Sequence, residues 1–132
     1  MKSLFHAKIS AARFGGNAND YQRVHDFMDS SKAHFPDIRH RAILHSSFGI
    51  HLADKVFGTF IVNSDGKEIP VKSIAEQHIL DDLGQIPTVQ DYLEEMPVQA
   101  WMGGTAKKRE PPTILISRKE IKILEDRAEA ST

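Results

Sequence analysis

Apolar and small residues at Leu4, Phe5, Ile9 and Ala12, with no breaker before Gly15-Gly16, predict a first helix over residues 3–14. Asn19 or Asp20 can cap a second, over 21–32, with Val24, Phe27, Met28 and Ser31 on one face. Pro36 separates a third and longest helix. Asp37 is a good N-cap, and Ile38, Ala42, His45, Phe48, Gly49, Leu52 and Val56 recur at helical spacing before Gly58. Glycine inside a helix costs about 1 kcal/mol relative to alanine, so Gly49 is expected to admit the close approach of another element.

Two short strands, 59–63 and 68–72, flank Ser64-Asp65-Gly66, where Asp-Gly favours a tight primed turn. Ser73 with Glu76 reads as a capping box opening a fourth helix that Gly84 stops. Pro87-Thr88 starts a short fifth helix that ends near Met96-Pro97. Gly-Gly, Lys-Lys-Arg and Pro-Pro between 103 and 112 are linker chemistry, 113–117 could add a strand, and 118–130 is helix-prone. The expected architecture is α+β, mainly α: four to five helices with a small hairpin in a domain over 1–103, and a linker with a C-terminal appendage over 104–132.

Composition narrows the function more than the fold. Charges nearly cancel, 17 Lys+Arg against 18 Asp+Glu, so no strong field recruits nucleic acid or an anionic membrane. No apolar run reaches spanning length, and a cytoplasmic protein is the expectation. With no cysteine, thiolate metal sites and cysteine nucleophiles are excluded. Histidine and carboxylate are then the usual ligands left for a metal, and the chain has seven histidines.

His45, in the middle of an apolar stripe, should be buried, either as a hydrogen-bonded core residue or as a ligand or base facing a cavity. His25 lies one helix earlier, on an element expected to run antiparallel to that of His45. His78 and Asp82 are four residues apart, on one helix face, as inward-facing ligand pairs require. His6 on the first helix is a further candidate. His34, His40 and His51 read as loop or surface residues. Asp29 and Glu76 are candidate general bases, although the capping box already accounts for Glu76. Lys32, Arg39 and Arg41 form a basic cluster that could hold an anion. His-Glu-x-x-His, Walker and EF-hand patterns are absent. The His25-Asp26 doublet resembles that of the HD phosphohydrolases, helical proteins that place histidines and aspartates around one or two metals.

Over residues 4–103 the chain resembles a small domain family of bacteria and their phages, classed as a domain of unknown function. The residues that carry the resemblance include His6 with Gly15-Gly16, Asp20-Tyr21 with His25, Arg39-His40-Arg41-Ala42 with His45, Ser64-Asp65-Gly66, Glu76-Gln77-His78, Asp82-Leu83-Gly84 and Trp101-Met102-Gly103. The resemblance implies a bacterial or phage setting and no activity. It also implies histidines recurring at the positions of His6, His25, His40, His45 and His78, a pattern closer to a site than to scattered core residues.

Three functions are compatible with these residues. The first is a helical domain in which His25, His45 and His78, with Asp82 or His6, ligate a divalent ion, zinc before iron, nickel or manganese. An open coordination position would make it a metal-dependent hydrolase of a small anionic substrate. The second is a non-catalytic accessory module with a buried His/Asp network, acting through a protein partner. The third is an anion binder built on the basic cluster. A homo-oligomer is compatible with any of them.

Overall fold

A computed structural model describes residues 1–103 and 118–130, which fall into two compact units, 1–95 and 96–132. The first carries α1 (Ser3–Phe14), α2 (Gln22–Met28), α3 (Arg41–Leu44), α4 (Ser47–Phe57), β1 (Phe60–Val62), β2 (Glu68–Pro70), α5 (Val71–Leu83) and α6 (Val89–Leu93), with 3-10 turns at Ala18–Asp20, Ser30–Ala33 and Ile38–His40. The second carries a 3-10 turn at Ala100–Met102, closed by Gly103, and α7 (Arg118–Ala130). The α+β, mainly helical class expected from the pattern is the one observed. The strand expected over 113–117 and the linker lie outside the described residues. Among the described residues, no helix is long and apolar enough to cross a membrane.

Helix α5 organises the first unit, packing against α4, α2 and α1. Its Val71, Ile74, Ala75 and Ile79 join Tyr21, Val24, Met28, Ile50, Ala53, Ile61 and Ile69 in one buried cluster. Each large aliphatic side chain there contributes roughly 1.5–3 kcal/mol of burial. The helix begins at Pro70, whose fixed φ suits a helix entry, rather than at the expected Ser73–Glu76 box. Glu76 is therefore an exposed mid-helix residue.

The hairpin pairs Phe60 with Pro70, Ile61 with Ile69 and Val62 with Glu68. Its loop is longer than a two-residue primed turn. Gly66 donates its N–H to Asn63 O at 3.0 Å and takes φ +79, and Asn63 N–H reaches Lys67 O at 2.9 Å. That is a turn followed by a left-handed residue, the common three-residue alternative. Asp20 fastens this loop to the end of α1, accepting from Asn17 N–H (2.8 Å), Ser64 N–H (2.9 Å) and Ser64 Oγ–H (2.7 Å).

Two apolar stripes differ from expectation. The predicted long third helix is broken: His45 takes φ −83, ψ 61, and Ser46, extended, accepts Gly49 N–H as the cap of α4. The break rephases the downstream turns, so Ile50 and Ala53 are buried while Ile38, Phe48 and Val56 stay exposed. In α1 the faces are inverted. Leu4, Phe5 and Ile9 face outward, and His6, Ala7 and Ser10 are fully buried. Helical spacing says which residues share a face; it does not say which face goes in, and polar groups can be buried where each finds partners.

Candidate metal centre

The break after α3 decides where His45 goes. Its carbonyl, released from the helical ladder, accepts from the Tyr92 hydroxyl at 2.8 Å, and Ser47 N–H donates to Pro87 O at 2.9 Å. With both backbone groups satisfied, the buried imidazole projects toward α5. There its Nε2 lies 2.9 Å from Asp82 Oδ2 and 3.7 Å from Asp29 Oδ1. Asp29 comes from the C-terminal end of α2. His78, one turn before Asp82 on α5, places Nε2 at 3.1 Å from Asp29 Oδ1 and 3.5 Å from Asp82 Oδ2. Donor atoms of Asp29, His45, His78 and Asp82 all lie within 4.8 Å of one another. Two donors bound to a tetrahedral ion at about 2.0–2.2 Å lie about 3.3–3.6 Å apart, close to these separations.

Around the four ligand candidates runs a second layer. Gln77 donates its amide to His6 O and to Asp81 Oδ2, both at 3.0 Å, which turns its Oε1 toward Ser10. Ser10 Oγ is 2.7 Å from that oxygen, a gap only the hydroxyl proton can fill. Ser10 must then accept from His25 Nε2 at 2.7 Å. This leaves His25 Nδ1 to accept from His78 Nδ1–H at 2.9 Å. In the neutral ring, His78 Nε2 thus presents a lone pair to two carboxylate oxygens. A second proton on His78 or a metal ion would satisfy that lone pair and the carboxylates together. Burial, opposed by Asp29, holds the His78 pKa below its ordinary value and works against the proton. Burial with the neighbouring imidazoles pushes His25 down to about 3, keeping it neutral.

His6 stacks on His78 with ring centroids 3.8 Å apart. Its Nδ1 pairs with Asp81 Oδ2 at 3.0 Å, and its buried Nε2 faces Asp82 Oδ1 at 3.3 Å. Burial lowers its pKa, but contacts with Asp82 and Asp81 outweigh burial and raise it. The two aspartates respond in the opposite sense. Burial of Asp82 is overcome by His45 and His6, and burial of Asp29 by His78, so both carboxyls titrate below their ordinary range. Donor atoms of His6, His25 and His78 also converge. There, however, Nδ1 of His25 and Nδ1 of His78 stand at hydrogen-bond distance, 2.9 Å, and no carboxylate is included, so the group with two carboxylates has the better charge for a cation.

Of the sequence candidates, His6, His25, His45, His78, Asp29 and Asp82 are brought together. Glu76 points to solvent, and Arg39 is exposed with its guanidinium on Asp37. Lys32 and Arg41 flank the cluster, 3.6 Å from Asp29 Oδ2 and 3.9 Å from Asp82 Oδ1. Asp26, the second residue of the HD-like doublet, is exposed and bound to Ser3 and Gln22, so the doublet does not act as a unit. His34 and His51 are exposed. His40, expected at the surface, is buried edge-on against His45, its Nδ1 3.0 Å from Ser31 Oγ. Ser10, Gln77 and Asp81 join the cluster without being sequence candidates. Gln77 lies in the Glu76-Gln77-His78 motif of the resemblance, and a spacing of four joins His6 to Ser10 and Gln77 to Asp81.

A family model described as Domain of unknown function (DUF6915) matches residues 1–102, in keeping with the resemblance read from the sequence. No curated protein and no solved structure matches the chain.

Proposed function

The chain belongs to the DUF6915 family, and we propose that its buried His/Asp cluster is a divalent-metal centre with His45, His78, Asp29 and Asp82 as ligands. The carrying observation is the convergence of two imidazole and two carboxylate donors within 4.8 Å; the contacts from Gln77 through Ser10 and His25 favour the tautomer that leaves Nε2 of a neutral His78 free for an ion. His6, beside Asp82, is the adjoining fifth donor, while His25 orients His78 from behind. The arrangement His6–Asp81 and the chain from His78 through His25 to Ser10 are the kinds of outer partner that fix the tautomers of metal-bound histidines. Mixed imidazole and carboxylate donors suit zinc first, with iron, nickel and manganese as competitors.

Four ligands fill a tetrahedral shell, so an ion that expands to five or six positions on this set would hold a water and bring its pKa toward about 7. Hydrolysis of an ester, amide or phosphodiester is therefore the activity this reading predicts. Asp29 Oδ2, buried without a hydrogen-bond partner, is the base within the site. The test is elemental analysis of untagged protein purified without chelator, beside thermal melts with and without EDTA. Near-stoichiometric metal and an EDTA-sensitive melt are expected. Metal-free protein whose melt ignores both EDTA and added zinc would overturn the reading.

The outward-facing Leu4, Phe5 and Ile9 of α1 favour a second reading, an accessory module that docks through this face and uses the His/Asp network for shape alone. Loss of His45 separates the two, because a purely structural histidine affects stability equally with and without metal.

A further inference from the structure

Arg41 and Lys32 are the two cations that border the cluster without being used up by it. Arg41, the first residue of α3, is three-quarters buried, and its Nη2 stands 3.9 Å from Asp82 Oδ1, beyond hydrogen-bond reach. Its Nε is buried with no hydrogen-bond partner among the described residues. Lys32 is half exposed with Nζ 3.6 Å from Asp29 Oδ2, an oxygen that likewise lacks a hydrogen bond. Arg39 behaves differently: its Nε and Nη2 reach both oxygens of Asp37 at 2.7–3.2 Å, and its guanidinium lies over Phe35. The trio suggested by the sequence thus separates into two available cations and one committed one.

We propose that Arg41 and Lys32 form the anion-binding half of the same site and take a phosphate-type oxyanion, one of whose oxygens also meets the ion. The proposal rests on the metal-centre reading. Asp29, Asp81 and Asp82 against a divalent ion, a guanidinium, an ammonium and the Met1 N-terminal ammonium, 3.3 Å from Asp82 Oδ1, leave a net charge of +2, which an anionic ligand offsets. Geometry selects the class of anion. A tetrahedral phosphate offers separate oxygens to an ion, a guanidinium and an ammonium at once, whereas a carboxylate has two oxygens for three cations. Arg41 Nε supplies a buried donor that such an oxygen would satisfy.

Calorimetry on the full chain tests this in two stages. Zinc or manganese is titrated first into metal-free protein; inorganic phosphate, and separately acetate, is then titrated into the loaded and the metal-free forms. Phosphate is expected to bind the loaded form, at least about tenfold more tightly than acetate, and to lose at least about tenfold in affinity in Lys32→Gln and in Arg41→Gln. Lys32→Gln alters a half-exposed side chain, so it remains informative even where Arg41→Gln folds poorly. Metal uptake without phosphate binding, or phosphate binding that is equal in the variants or in metal-free protein, overturns the anion site and leaves the metal centre standing. Absence of metal uptake overturns both.

Discussion

Gly49 faces the carbonyl of Leu44 so closely that a methyl group on its Cα would stand 1.6 Å from that oxygen. The contact lets α4 start directly against the end of α3, and the break between them is what turns His45 into the cluster. Gly49→Ala is expected to destabilise the protein by more than about 2 kcal/mol, because backbone rather than a flexible side chain must move. Urea denaturation measures it. A stability equal to that of the parent would show that the break tolerates a side chain.

His45→Ala and His78→Ala should each abolish near-stoichiometric metal uptake, and added zinc should no longer raise the melting temperature. A bound ion stabilises by mass action, by about 2.7 kcal/mol at a hundredfold excess over Kd. Melts at matched metal concentrations read the effect, and a zinc-dependent rise surviving in both variants would remove these histidines from the ligand set.

Ser10→Ala and Gln77→Leu touch none of the four ligands. Each breaks the chain of donors that leaves His78 Nε2 bare, and metal affinity should fall about 10–100-fold, as with other outer partners of ligating histidines. Calorimetric titration is the measurement. Affinity unchanged in both variants would mean that the tautomer of His78 is set elsewhere.

Asp20 predicts a pH dependence away from the cluster. Three donors hold its pKa below the ordinary carboxylate value of about 3.9, so its contribution is present above that value and fades as pH falls through the lower, folded one. Asp20→Asn should be less stable than the parent by a constant margin near neutrality, and the margin should narrow below about pH 4. Denaturation midpoints across pH give the comparison, and a margin that widens on acidification would contradict it.

Much of the fold is legible in the residues themselves. Gly15-Gly16 marks the end of α1, Asp91 closes a capping box with Thr88 at α6, and the spacing of His78 and Asp82 puts both on the inner face of α5. The break at His45 is hidden because its flanking residues keep helical periodicity across it. Gly49 signals a close approach without naming the partner. The inward turn of His6 and Ser10 is hidden for another reason. Burying them depends on Gln77 and Asp81, more than sixty residues away, and local periodicity carries no information about such partners. Asp29 reads as a candidate base beside His25, one helical turn away, while its place in the His/Asp cluster depends on where α2 ends against α5.

The cluster draws on positions 29, 45 and the pair 78 and 82, which belong to three separate segments of a chain without cysteine. An ion gripping all four would act as a reversible cross-link, closing long loops in the unfolded chain much as a disulfide does. Such a staple is indifferent to thiol redox conditions and opens instead to chelators. The domain's resistance to unfolding and proteolysis would then track the supply of free metal around it.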